Sequence, residues 1–129
     1  MTQSFEIELT VPKSAIDQMN HVNNVVYVQW IQDIAQQHWQ SKTDTTMRSE
    51  FVWVVMDHFI AYHAPSFIND TLKLKTWIDH YQGAKCQRNT EITNLDTNKT
   101  IVTAKTHWCL LQSTSLRPTR ITKEISSLF

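Results

Sequence analysis

Only one stretch of this 129-residue chain repeats its apolar residues with a helical period. Tyr27, Trp30, Ile31, Ile34, Ala35 and His38 fall on one face, and Val28 and Trp39 widen that face to an arc of about half the circumference. Gln29, Gln32, Asp33, Gln36 and Gln40 fill the remainder. The spacing predicts a helix over 24–41, with Asn23 as its N-cap because the amide side chain can accept from a first-turn N–H. An arc this wide suits a helix gripped by a curved sheet better than one lying on a flat surface.

The rest of the chain reads as strands. Residues 5–11 (FEIELTV) alternate, and Pro12 and Lys13 end the run, since proline donates no ladder hydrogen bond. Residues 14–24 and 43–50 read as polar loops. The long segment 51–64 (FVWVVMDHFIAYHA) is rich in β-branched and aromatic residues, and 65–70 connects it to an alternating strand over 71–81. Gln82-Gly83 predicts a tight turn into a return strand over 85–95, and Asp96-Thr97-Asn98-Lys99 a second hairpin turn into 100–112. The tail from Ser113 is expected to pack as an irregular end or a short helix.

The order is one strand, one long helix, then four strands as a meander, an α+β layout in a single domain spanning 1–129. Roughly two thirds of the unfolded surface can be buried at this length, enough for a core without staples. Wrapping the sheet around the helix leaves apolar groups of 51–64 uncovered on its outer face. A second copy of the chain is the natural cover, so a homo-oligomer is expected.

Charge narrows the functional classes. Twelve Lys and Arg balance twelve Asp and Glu, which argues against nucleic-acid partners and against an anionic membrane surface. No apolar run approaches the roughly eighteen residues of a membrane span. The N-terminal residues alternate like a strand, with no basic lead or long apolar core. Cys86 and Cys109 lie inside strand patterns and read as free thiols in a reduced, cytoplasmic protein. No histidine or cysteine spacing matches a metal motif, and there is no GxGxxG, Walker loop or GxSxG elbow. No metal and no cofactor are expected.

One acid stands apart. Asp17 precedes the helix in DQMNHVNNVVYVQW. Its plain structural role is a loop acid facing the positive end of the helix. Its chemical role would use the free N–H groups near Asn24 and Val25, which can polarise a carbonyl oxygen. A carboxylate beside that carbonyl could attack it or activate a water. His21 is either a brace for backbone carbonyls or a group that orients Asp17. Lys85, Arg88, Lys105, Arg117 and Arg120 read as solvated charges, a few of which could neutralise phosphates of a cofactor-tailed substrate.

The stretch from Asp17 to Tyr27 resembles the D-x-x-G-H-V-N-N-x-x-Y stretch of hotdog-fold thioesterases, in particular the 4-hydroxybenzoyl-CoA thioesterase-like group and its acyl-ACP thioesterase relatives. Trp53-Val54-Val55, Ile60-Ala61-Tyr62-His63-Ala64-Pro65 with Asp70, and Arg117-Pro118-Thr119-Arg120-Ile121 support the match in the same order. The resemblance implies a single hotdog domain, with a long central helix wrapped by a curved antiparallel sheet of about five strands. It implies dimers that can pair into tetramers, with a site between subunits lined by the partner's 51–64 strand. It gives Asp17 the catalytic carboxylate and the Asn24 N–H the polarising contact. Asn20 stands where the family often has glycine, Met19 where plant acyl-ACP thioesterases have asparagine, and Ala15 where a second acid is frequent.

The reading is a thioesterase acting on acyl-CoA or acyl-ACP. Asp17 is the base or nucleophile, Asn24 the oxyanion donor and His21 a supporting group. Val25, Tyr27, Trp30, Ile31 and Phe59 are candidates for the substrate pocket, and Arg88 for the substrate's charged tail. The alternatives are a hotdog hydratase or dehydratase acting on an acyl thioester, and a non-catalytic acyl-thioester-binding dimer.

Overall fold

The structure, a computed structural model, describes residues 3–129. Strand β1 (Phe5–Thr10) leads through a 3₁₀ turn (Lys13–Ala15) to helix α1 (Asn24–Lys42) and a short helix α2 (Thr45–Glu50). Strands β2 (Phe51–Tyr62), β3 (Thr71–Gln82), β4 (Lys85–Asn94) and β5 (Thr100–Gln112) follow, and α3 (Lys123–Ser126) lies near the end. All strand pairings are antiparallel, in the order β1-β3-β4-β5-β2.

That order corrects the expected four-strand meander. Only β3, β4 and β5 run as one; β2 pairs with β5 at the far edge and is not a neighbour of β3. The reason lies in the connection after β2. His63 and Ala64 still donate to the Ile101 carbonyl of β5, but Ser66 O then accepts from Val22, and Asp70 O from Val11. The segment thus crosses from the β5 side to the end of β1, and delivers β3 to the β1 edge.

Alternation along β3 buries Leu72, Leu74, Thr76 and Ile78 on one face, and β4 turns Cys86, Arg88, Thr90, Ile92 and Asn94 inward. The helix lays Tyr27, Ile31, Ile34, Ala35 and His38 against this side, all buried as its periodicity predicts. One core joins the helix to β1, β3, β4 and β5 through Leu9, Ile31, Ile34, Leu72, Leu74, Ile92 and Val102. A second core gathers Ile78, Cys86 and Leu110 under the tail residues Ile121, Ile125 and Phe129. The tail is held there by the Ile121 N–H on the Gly83 carbonyl at 2.8 Å.

The segment 43–50 is not a polar loop as expected. Asp44 caps α2 by accepting from the Met47 N–H at 2.8 Å, and Met47 packs against the second core. The tight turn at Gly83 is present, with φ at +63°. Cys86 and Cys109 are free and buried, and burial pushes the Cys86 thiol up to about 11. Among the described residues no helix is long and apolar enough to cross a membrane.

Candidate active site

The loop from Ile16 to Asn23 closes on itself before the helix begins. Ile16 and Val22 form an antiparallel bridge, and Asp17 N–H donates to His21 O at 3.0 Å. The chain reverses between them through Asn20, whose N–H donates to Asp17 O at 3.0 Å and whose φ is +66°. Glycine is the usual occupant of such a backbone, and asparagine is among the few side chains that take it at modest cost. The chain thus turns at Asn20, although asparagine stands where the family often has glycine.

Two further bonds fix this loop to the helix mouth. Asn23 N–H donates to Ala15 O at 3.0 Å, and Val22 N–H to Ser66 O at 2.9 Å. Asn23 then caps α1, its Oδ1 accepting from Val25 N–H at 3.0 Å and its carbonyl from Val26 N–H at 2.9 Å. Between them the Asn24 N–H, at the first helical position, has no acceptor among the described residues. It is an unclaimed donor at the positive end of a 19-residue helix.

The Asp17 side chain is 24% exposed, so it is neither sealed nor loose in solvent. Its Oδ1 accepts from Met19 N–H at 2.8 Å, which orients the carboxylate. The His21 ring nitrogen Nδ1 lies 3.9 Å from the same oxygen and 3.5 Å from Val22 O. It stands beside the acid as a supporting group without a close bond. The second carboxylate oxygen has no partner among the described residues.

The other candidates divide. Val25 is 73% exposed next to the Asn24 amide. Phe59 is 76% exposed, in a shallow groove of the outer sheet face with Trp77 and Lys105. Trp30 is half-buried against Tyr27, with ring centroids 5.6 Å apart. Tyr27 and Ile31 are buried within the first core, where they wall the protein interior and neither cavity. Burial pushes the Tyr27 phenol up, with Ser66 opposing.

Arg88 departs most from expectation. It is not a solvated strand charge but 5% exposed beneath α1. Sequence reasoning also missed the space Arg88 faces, a cavity of about 360 Å³ between α1 and the strands, lined by Trp39, Trp53 and Trp108 among others. No local pattern tells that three half-buried tryptophans border one cavity. His58 was likewise passed over; it faces inward, with Nδ1 2.8 Å from Thr106 Oγ1.

The family model for the acyl-ACP thioesterase N-terminal domain matches residues 2–129. The chain belongs to this family. It is a thioester hydrolase, and its helix and five-stranded antiparallel sheet are the hotdog fold. No curated protein sequence matches it. Similar solved structures include a 1,4-dihydroxy-2-naphthoyl-CoA thioesterase from Synechocystis, with a TM-score of 0.85, 15% identity, and coverage of 98% of this chain and 95% of that one. A probable thioesterase from Bartonella henselae has a TM-score of 0.77 and 20% identity, over 92% and 98% of the two chains. An Asp-to-Asn mutant of 4-hydroxybenzoyl-CoA thioesterase complexed with 4-hydroxybenzoyl-CoA has a TM-score of 0.87 and 10% identity, over 97% of each. At these identities the likeness is one of fold.

Proposed function

We propose that this thioester hydrolase cleaves acyl-CoA or acyl-ACP at the mouth of α1. The single observation that carries this reading is the unclaimed Asn24 N–H, tied through Asn23 and Ala15 to the loop that holds Asp17. The thioester oxygen sits on that amide, where the helix end stabilises the charge that develops as the carbonyl is attacked. Asp17 takes the proton of an attacking water, or attacks the carbonyl carbon itself. With water as the attacker, the C–S bond breaks and the thiol leaves with the proton that Asp17 took. With direct attack, the C–S bond breaks to give an acyl–Asp17 anhydride, which water hydrolyses to the free acid and the carboxylate, one of its protons going to the thiolate. His21 steadies the carboxylate. Val25 and Trp30 border the entrance.

Support comes from two further directions. The neighbours' names place two of them on CoA thioesters, one captured with its substrate in an Asp-to-Asn mutant. The outer face of β2 exposes Val54, Met56 and Phe59, as a strand covered by a second copy would. We read the active unit as a homodimer or a pair of dimers, with the second copy's 51–64 strand completing the pocket. The two free, buried cysteines fit a reduced cytoplasmic setting.

Thiol release from a panel of acyl-CoA and acyl-ACP substrates tests this. Asp17→Asn should lose about two to four powers of ten in kcat. Rates near wild type would remove Asp17 from the mechanism. Loss of an enoyl thioester's conjugation without thiol release would mark a hydratase, and binding without turnover at any chain length a non-catalytic binder.

A further inference from the structure

Arg88 sits in the wall of the cavity beside α1 without a counter-charge. Its Nη1 donates to His38 Nδ1 at 2.9 Å and to Thr76 Oγ1 at 3.1 Å. Both acceptors are neutral. Thr76 passes its own proton to the Asn89 carbonyl. Burial, aided by Arg88 and then Lys42, holds His38 down at about 4. Among the described residues no carboxylate lies within 4.0 Å of the guanidinium. Its Nε and Nη2 protons make no hydrogen bond to the described chain. Buried charges are ordinarily paired, and a lone one is costly.

Besides Arg88 the lining holds a second cation, an unpaired donor and the neutral amides of Gln29, Gln32, Gln36 and Gln40. Trp108, which lines the same cavity, has an indole N–H with no acceptor among the described residues. Arg48 adds a second cation at the rim, with Nη1 donating to the carbonyls of Thr43 and Gln40. The one acid in the lining, Asp33, is held by Gln29 Nε2 at 2.8 Å. Around these polar groups Trp39, Trp53, Phe51, Ile78 and Phe129 supply apolar and aromatic walls. The volume, about 360 Å³, lies near the lower end of small-ligand sites, roughly 300–1,000 Å³.

We propose that this cavity binds a carboxylate carried on an apolar body, with Arg88 gripping the two oxygens through Nε and Nη2. The planar guanidinium fork matches a carboxylate in this way, and desolvation strengthens the contact. The apolar walls take the body of the ligand. The site is separate from the Asn24 amide: His38, the partner of Arg88, lies fourteen residues further along α1, about 21 Å by helix rise. Two sources share this chemistry. One is a free acid held in the cavity alone. The other is the far end of a long acyl group whose thioester sits at Asn24; only that second source rests on the proposed thioesterase mechanism.

Three tryptophans line the cavity, so intrinsic fluorescence reads it directly, and calorimetry gives the affinity. The probes are benzoate and octanoate against their neutral amides. Wild type should bind each acid about 10- to 100-fold more tightly than its amide, and Arg88→Met should lose that difference while keeping its fold. Asp33→Asn should tighten acid binding, since it removes the one competing carboxylate. Equal binding of acid and amide, or no binding of either, overturns the proposal; so does an Arg88→Met protein that binds acids like wild type. If that variant does not fold, the acid–amide pairs and Asp33→Asn decide the matter. Hexadecanedioyl-CoA binding more tightly than palmitoyl-CoA, in wild type but not Arg88→Met, assigns the carboxylate to the acyl group. Equal binding of the two esters, with acid binding intact, assigns it to free acids. Both ester arms use binding, not hydrolysis, so a failure of Asp17 chemistry leaves them readable.

Discussion

Asn20 shows how much rests on one backbone angle. Its φ of +66° turns the chain between Asp17 and His21, and so aims the candidate acid. Asn20→Gly should fold and work like wild type, whereas Asn20→Val should cost about 1–2 kcal/mol and slow hydrolysis. Urea midpoints and thiol release check both. His38 carries a second residue-scale consequence. Its folded value is lowered from 6.5 to about 4, so as pH falls the unfolded chain takes up its proton first. Stability is full above pH 6.5 and declines through the window down to about 4, by about 2–3 kcal/mol. Urea midpoints taken across that window should slope in wild type and flatten in His38→Gln.

At the scale of elements, the N-terminus of α1 is where stability and chemistry meet. Asn23→Ala removes the side chain that takes the Val25 N–H and should cost about 1 kcal/mol of stability. If the Asn24 amide polarises the thioester, the same change should lower kcat more than it raises KM, because the donor then loses its fixed direction. The β3–β4 hairpin has a cleaner test. A Cβ added at Gly83 would meet nothing within 4 Å, so Gly83→Ala pays only for its φ of +63°, about 1 kcal/mol. A larger loss of melting temperature would mean that the tail, bonded to the Gly83 carbonyl through Ile121, had been displaced. Helix α2 was missed in the sequence because six residues are too few for a periodic pattern to stand out. Its one local signal was Asp44 three residues ahead of Met47.

For the molecule as a whole, β2 is the decisive strand. It is an edge, and its outer face exposes Val54, Met56 and Phe59. With a second copy on that edge, Val54→Lys combined with Phe59→Lys should convert the protein to monomers by light scattering and abolish hydrolysis together. Monomers with full activity would place the whole pocket within one chain.

The helix, the strands and the Asp17–Asn24 loop were readable along the chain because each depends on neighbours a few residues apart. Periodicity, a cap and a left-handed turn are local facts. The position of β2, the burial of Arg88 and the cavity between α1 and the sheet were not, because they depend on which distant strand ends up alongside. Arg88 looked like any strand charge until β4 turned it inward beneath His38, fifty positions away. The order of residues along the chain determined what the elements are and where the candidate acid stands. Only the closing of the sheet around the helix decided which polar groups it would trap, since long-range pairing carries no mark in either partner's own neighbourhood.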